Sequence, residues 1–146
     1  MSVAKFERFF RLAASLDIEK SDLKRYSNFV NHEIYDLLLR GQAAAMANGR
    51  SAIEPFDLPI TKGLQERIEE FVKIDEEMEL RPILDFVTAR PPLDLPYRDD
   101  TQSQLARVAG GLSVGIARAF RIIDPDVKNP QGRHWERIER IFDLLL

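Results

Sequence analysis

The feature that most narrows what this chain can become is a long apolar stripe that occurs twice. Leu23, Tyr26, Val30, Ile34, Leu37, Gly41 and Ala44 follow one another at steps of three or four, and Leu105, Val108, Leu112, Ile116, Ala119 and Ile123 repeat the pattern further on. That spacing is the amphipathic helical period. A long helix with such a stripe is not stable by itself in water, because most helical stability in proteins comes from packing the apolar face. Two long helices therefore demand neighbours, and the sequence supplies short ones around each.

Before the first long helix, Phe6, Phe9, Phe10 and Ala13 share one helical face over residues 3–15, and a break follows at Asp17–Lys20. Ser21 stands ahead of Asp22 and Leu23 as an N-cap candidate. Asn48-Gly49 closes the long helix. Arg50–Glu54 is expected to be extended, since Pro55 pushes Glu54 that way, and Pro55 opens a short turn that Pro59 ends. A third helix carries Leu64, Ile68, Phe71 and Val72 inward and runs on through the acids Asp75–Glu79. A second series begins with the short apolar face of Ile83, Leu84 and Val87, breaks at the prolines between Arg90 and Tyr97, and restarts at the cap candidates Asp99, Asp100 and Thr101. After the loop Asp124–Gly132, a last helix places Trp135, Ile138, Ile141, Phe142 and Leu145 on one side. The expectation is an all-α chain in which short-long-short is written twice and no strand pair occurs.

Length and charge restrict the function classes. The 146 residues suit one domain. With no cysteine, disulfides, thiolate nucleophiles and cysteine-ligated metal are excluded. No apolar run approaches the roughly 20 residues that span a bilayer, so a cytoplasmic protein without membrane contact is expected. The net charge is −3, and the halves divide at +1 for residues 1–62 and −4 for the remainder. Binding dominated by phosphate neutralisation calls for a basic excess or stripe, which the totals do not provide.

Residues 7–60 resemble archaeal histones without a gap. The resemblance rests on Glu7-Arg8-Phe9-Phe10-Arg11-Leu12-Ala13, the loop residue Ile18, the long helix, and Gly49-Arg50-Ser51-Ala52-Ile53-Glu54-Pro55-Phe56-Asp57-Leu58. The whole chain, with its run Ile53–Ile60 and the later Asn129-Pro130, looks like the bacterial family DUF1931, a fused histone-fold pseudodimer. The resemblance implies tandem histone folds packed as an intramolecular pseudodimer within one domain, 1–146, with units at 3–75 and 76–146. It implies a clamp between Arg50 and Asp57, and loops that pair crosswise, with Ile18 next to Val127, Leu95 near Ile53, and Lys128 facing Asp17 or Glu19. Arg8 matches the first-helix arginine by which DNA-binding archaeal histones enter the minor groove, and Lys5, Arg11, Lys20 and Lys24 lie near it. The phosphate-touching Lys-Thr pair is replaced by Ser51-Ala52, and a basic loop residue by Asp17, which weakens the expected DNA surface.

Three motifs invite chemistry. Gly111-Leu112-Ser113-Val114-Gly115 spells a nucleophile elbow, and Asp124 and His134 follow in hydrolase order. The elbow needs a preceding strand, whereas Ser113 sits within a helical period. Ala109, Gly110, Gly111 and Gly115 are better explained as small residues that let another helix cross closely. His32-Glu33-Ile34-Tyr35-Asp36 opens like a zinc-protease helix, but Asp36 stands where the second histidine belongs, and zinc would need two further ligands that the sequence does not offer, so no metal site is expected there. His134 is expected to help start the last helix. Seven acids between Glu66 and Glu79 stand against Arg67 and Lys73 and are expected to form a solvated face.

The expected function is therefore a non-enzymatic histone-fold protein without cofactor, metal or small-molecule substrate. It would act by association with itself or another protein, through an apolar chain end that includes Phe142, Leu144 and Leu145. The alternative is a divergent nucleoid DNA binder using Arg8 and its basic neighbours.

Overall fold

The computed structural model describes residues 3–78 and 92–146. Its helices are α1 (Val3–Ala14), α2 (Lys20–Ala47), α3 (Lys62–Met78), α4 (Asp99–Ile123) and α5 (Gly132–Leu145), with a 3-10 turn at Pro55–Asp57. Among the described residues extended pairing is limited to an isolated parallel bridge between Ile53 and Tyr97. The expected short helix around Ile83, Leu84 and Val87 lies outside the described residues, as does the start of the proline-rich break. No described helix is long and apolar enough to cross a membrane.

The helix ends follow local chemistry, with two corrections. α2 is capped at Glu19 and not at Ser21, because Asp22, the third helical residue, accepts the Glu19 amide at 3.0 Å and pulls the helix start back. α4 is capped at Arg98. Asp99 and Asp100 instead occupy the first turn, where acids favour the helix dipole, and Thr101 is buried. Gly49, at φ +71°, ends α2 as expected. α1 ends on Ser15, which takes the left-handed φ of 55° although it is not glycine. The Leu16 amide then reaches the Phe10 carbonyl at 3.2 Å and the Ser15 amide reaches Arg11 at 2.8 Å, closing the last turn.

The core sits where α4 passes between the other helices. Leu105, Val108, Leu112 and Ile116 point inward as the stripe predicts, but Ala117 and Phe120 are buried while Ala119 and Ile123 are only partly so. α2 likewise buries Phe29, Leu38 and Ala45 beyond its predicted face. Both long helices are covered from more than one side, so the buried face is wider than a single stripe. α1 contributes an aromatic knot: Phe6 and Phe10 meet edge-on at 5.2 Å between ring centres, and Phe6 lies 5.1 Å from Tyr26. Such pairs add about 1 kcal/mol beyond the area they bury.

The closest approach is between α3 and α4. A methyl group placed on Gly110 would lie 2.2 Å from the Phe71 ring, and one on Gly111 2.6 Å from the Ile68 side chain. Those two glycines are the notch into which α3 packs. Gly115 makes only ordinary contacts, the nearest at 3.5 Å to Phe142, so the close crossing does not depend on it.

Two loop junctions hold the helices in place. In the first, the Asp17 amide donates to the Lys128 carbonyl at 2.6 Å, flanked by the buried Ile18 and Val127. In the second, the Ile53 amide donates to the Pro96 carbonyl at 2.9 Å, and the Leu95 amide donates to Gln42 Oε1 at 3.0 Å. It is the backbone of Lys128, not its ammonium, that meets Asp17. The acids it was expected to face have other partners: Asp17 lies 3.7 Å from Arg11, and Glu19 accepts Asn129 at 2.9 Å.

Candidate functional site

The residues singled out by sequence fall into several separate places. At the second junction, Arg50 and Asp57 form the expected ion pair. Asp57 is buried, its other oxygen accepts the Glu54 amide at 2.8 Å, and the Arg50 guanidinium lies 4.9 Å from the centre of the exposed Phe56 ring. Thr101 adds a hydroxyl that donates to the Ile53 carbonyl at 2.8 Å. The pair fixes the loop between α2 and α3.

At the first junction sequence reasoning missed the principal residue. Arg121 donates from Nε to the Ala14 carbonyl at 2.8 Å, from Nη2 to Ser15 at 2.8 Å, and from Nη1 to Pro125 at 3.1 Å and Val127 at 2.7 Å. One guanidinium thus satisfies the open carbonyl end of α1 and the loop after α4. His134 completes the junction. Its Nδ1 accepts the Gln131 amide at 2.8 Å and its Nε2 lies 3.0 Å from Asp124, so a neutral ring protonated on Nε2 satisfies both bonds. His134 therefore helps start α5, as expected. The bond to His134 holds the Asp124 carboxyl below the usual range.

Ser113 does not join this pair. It lies buried inside α4, donates to the Ala109 carbonyl at 2.7 Å and meets the Tyr26 hydroxyl at 2.7 Å. Burial pushes the Tyr26 hydroxyl above its ordinary range. With no strand ahead of it and its oxygen committed to two partners, Ser113 lacks the exposed, strained geometry of a nucleophile elbow.

The basic group on α1 and early α2 is dispersed. Arg8, Lys20 and Lys24 are exposed and make no ion pair among the described residues. Arg11 pairs with Asp17, and Lys5 is half-buried and engaged. On α3 two of the acids are paired: Glu66 binds Lys62 at 2.8 Å, and Glu70 binds Arg118 at 2.9 Å and Arg67 at 3.1 Å, while Glu69 and Glu76 are exposed as expected. Its bond to Lys62 holds Glu66 below the usual carboxylate range.

The end of α5 is split. Phe142 is not free for a partner, because its ring packs 5.4 Å from that of Phe29 and joins the core. Leu144 and Leu145 are 84% and 72% exposed, and Ile141 and Leu146 are also open. Of the predicted α5 face, only Trp135 and Ile138 are fully buried. Beside this end lies a cavity of about 470 Å³ lined by Leu64, Leu112, Ile141, Phe142 and Leu145 among others.

The fold also supplies His32 with a neighbour that sequence spacing could not show, besides Asp36 one turn along. Asp36 lies 3.2 Å from its Nε2, and Asp143, from the far end of the chain, lies 4.0 Å away. Glu33 sits beside them, 3% exposed. Burial, then the facing Asp143 carboxyl and Asp36, push Glu33 up to about 8.

Comparison with known proteins places the chain. The model of the family described as "Domain of unknown function (DUF1931)" matches residues 6–143, and the chain belongs to that family. It is similar to two uncharacterized proteins of Aquifex aeolicus (strain VF5). One is 30% identical over 139 residues, covering 95% of this chain and 81% of the relative; the other is 30% identical over 141 residues, covering 88% and 82%. Among solved structures, a Thermus thermophilus protein is 51% identical with a TM-score of 0.89, covering 100% of this chain and 99% of its own. An Aquifex aeolicus protein is 26% identical with a TM-score of 0.86, covering 99% and 95%.

Proposed function

We propose that this DUF1931 protein is a single-chain histone-fold pseudodimer that works by assembling with protein, in the first instance a second copy of itself, and not by chemistry on a small molecule. The crosswise loop junctions support the pseudodimer reading. The loop before α2 meets the loop after α4, and the loop after α2 meets the segment before α4. Fusing two units that each need a partner makes their pairing intramolecular at high effective concentration.

The observation that carries assembly is the exposure of Leu144 and Leu145 beside Ile141 and Leu146. Apolar groups clustered at one end of a helix mark an association surface more often than isolated ones do. A leucine patch also complements itself about a two-fold axis without matched charges. Sedimentation equilibrium over a range of concentrations tests this. The native protein should exceed its 16.8 kDa chain mass, and the Leu144→Asp, Leu145→Asp double variant should return to it. A native protein that stays at chain mass throughout overturns self-assembly.

A second reading, DNA binding, rests on the exposed Arg8, Lys20 and Lys24, which pair with no acid among the described residues. It requires affinity for a short duplex that falls steeply with salt and is lost in Arg8→Glu. Fluorescence anisotropy across a salt series decides it: no binding at low salt sinks the idea.

A further inference from the structure

Glu33 is a carboxylate in the wrong place for a structural residue. It is 3% exposed, and its Oε1 is buried with no hydrogen-bond partner among the described residues. An unsatisfied buried acceptor carries a desolvation cost that proteins ordinarily avoid. What faces it is not a donor from the core but Asp143 from the last turn of α5 and His32 from its own helix, with one ligand atom from each of the three residues lying within 4.8 Å of the others.

Two carboxylates and an imidazole this close call for a positive charge between them. A proton shared between Glu33 and Asp143 would relieve that one contact and leave the imidazole outside it. A divalent cation would engage all three donors at once. The donor set decides which cation fits. Calcium and magnesium prefer six or more oxygen ligands or retained water, whereas one imidazole nitrogen with carboxylate oxygens suits zinc and related transition ions. Asp36, one turn along α2 and 3.2 Å from His32 Nε2, stands where a fourth ligand or an orienting partner is needed.

We propose that His32, Glu33 and Asp143 form a binding site for a divalent transition-metal ion of the zinc type, with Asp36 within reach as a further donor. Glu33 forms the floor, while His32, Asp36 and Asp143 are exposed at the rim, so an ion can enter from solvent. The bound ion would tie the middle of α2 to the end of α5, residues more than a hundred apart in sequence. The site stands independently of whether the leucines beyond it engage a partner.

The test uses full-length protein stripped with chelator and titrated calorimetrically with Zn2+, with Mg2+ as control and Co2+ as a visible-absorption probe. One Zn2+ per chain should bind, raise Tm and develop the Co2+ band, and Mg2+ should do neither. Glu33→Gln and Asp143→Asn should lose the band and the Tm response, and Asp36→Asn should weaken binding by about tenfold. Glu33→Gln puts a neutral group of the same shape in place of the carboxyl, so without metal it should melt no lower than the native protein, which separates lost binding from lost folding. Absence of Zn2+ binding, binding unchanged in Asp143→Asn, or an equal response to Mg2+ would each overturn the site.

Discussion

The two loop junctions do the same job with different chemistry. At the first, one guanidinium gathers four carbonyls from α1 and the loop after α4, and a neutral histidine meets a carboxylate. At the second, the Arg50–Asp57 pair holds the turn, and uncharged groups make the crossing bonds, the Thr101 hydroxyl and the Gln42 amide. The acid lies within the loop at the second junction, as Asp57, and at the start of the loop at the first, as Asp124. Pairing of this kind is thus specified by where backbone groups must be satisfied, and side chains of quite different character can satisfy them.

The contrast can be broken most forcefully at Arg121. Arg121→Met should cost about 3 kcal/mol in urea unfolding, because four carbonyls, two of them in part-buried bonds, lose their donor together at about 1 kcal/mol per bond. Arg50→Ala should cost less, about 2 kcal/mol, since Asp57 keeps the Glu54 amide but loses its countercharge. Thr101→Val, close in shape, should cost about 1 kcal/mol and should raise hydrogen exchange at the second junction alone. An Arg121 variant no less stable than the Thr101 variant would erase the distinction.

Acid should separate the junctions with the smallest effect. Asp124 is held low by His134, so its contribution is present above the unfolded carboxyl pKa and is lost as pH falls through the depressed folded value. Hydrogen exchange at Asp17 and Val127 should therefore quicken below about pH 4. Glu33 works in the opposite sense. Its folded pKa is raised to about 8 from an ordinary 4.5, so its favourable contribution is complete below about 4.5 and disappears as pH rises through 8. In chelated protein, Tm should drop between about pH 5 and 8, and Glu33→Gln should flatten that drop; an unchanged slope would rule Glu33 out as its source. The junction comparison is then cleanest in the Glu33→Gln background.

Much of the fold is legible in the sequence because period and punctuation are local. The stripes locate every described helix, Asn48-Gly49 ends α2, and the paired glycines foretell the α3 crossing. The Arg50–Asp57 pair is reached through family resemblance. What escapes depends on distant partners. Arg121 carries no local sign that α1's carbonyl end lies beside it, and Glu33 reads as the second letter of a protease motif while its decisive neighbour is Asp143. Phe142 reads as part of an outer surface because one helical stripe cannot show how far α2 extends beneath it. Helix starts slip by one to three residues where a serine, acid or threonine in the first turn reads as the cap itself.

The notch at Gly110 and Gly111 has a mechanical meaning. The Phe71 ring occupies the space that a side chain on Gly110 would fill, and Ile68 the space beside Gly111. Sliding α3 along α4 would carry the ring away from the position that lacks a side chain, so the contact behaves as a detent: it resists translation without any polar bond. The heading of α3 is thereby set by two missing side chains.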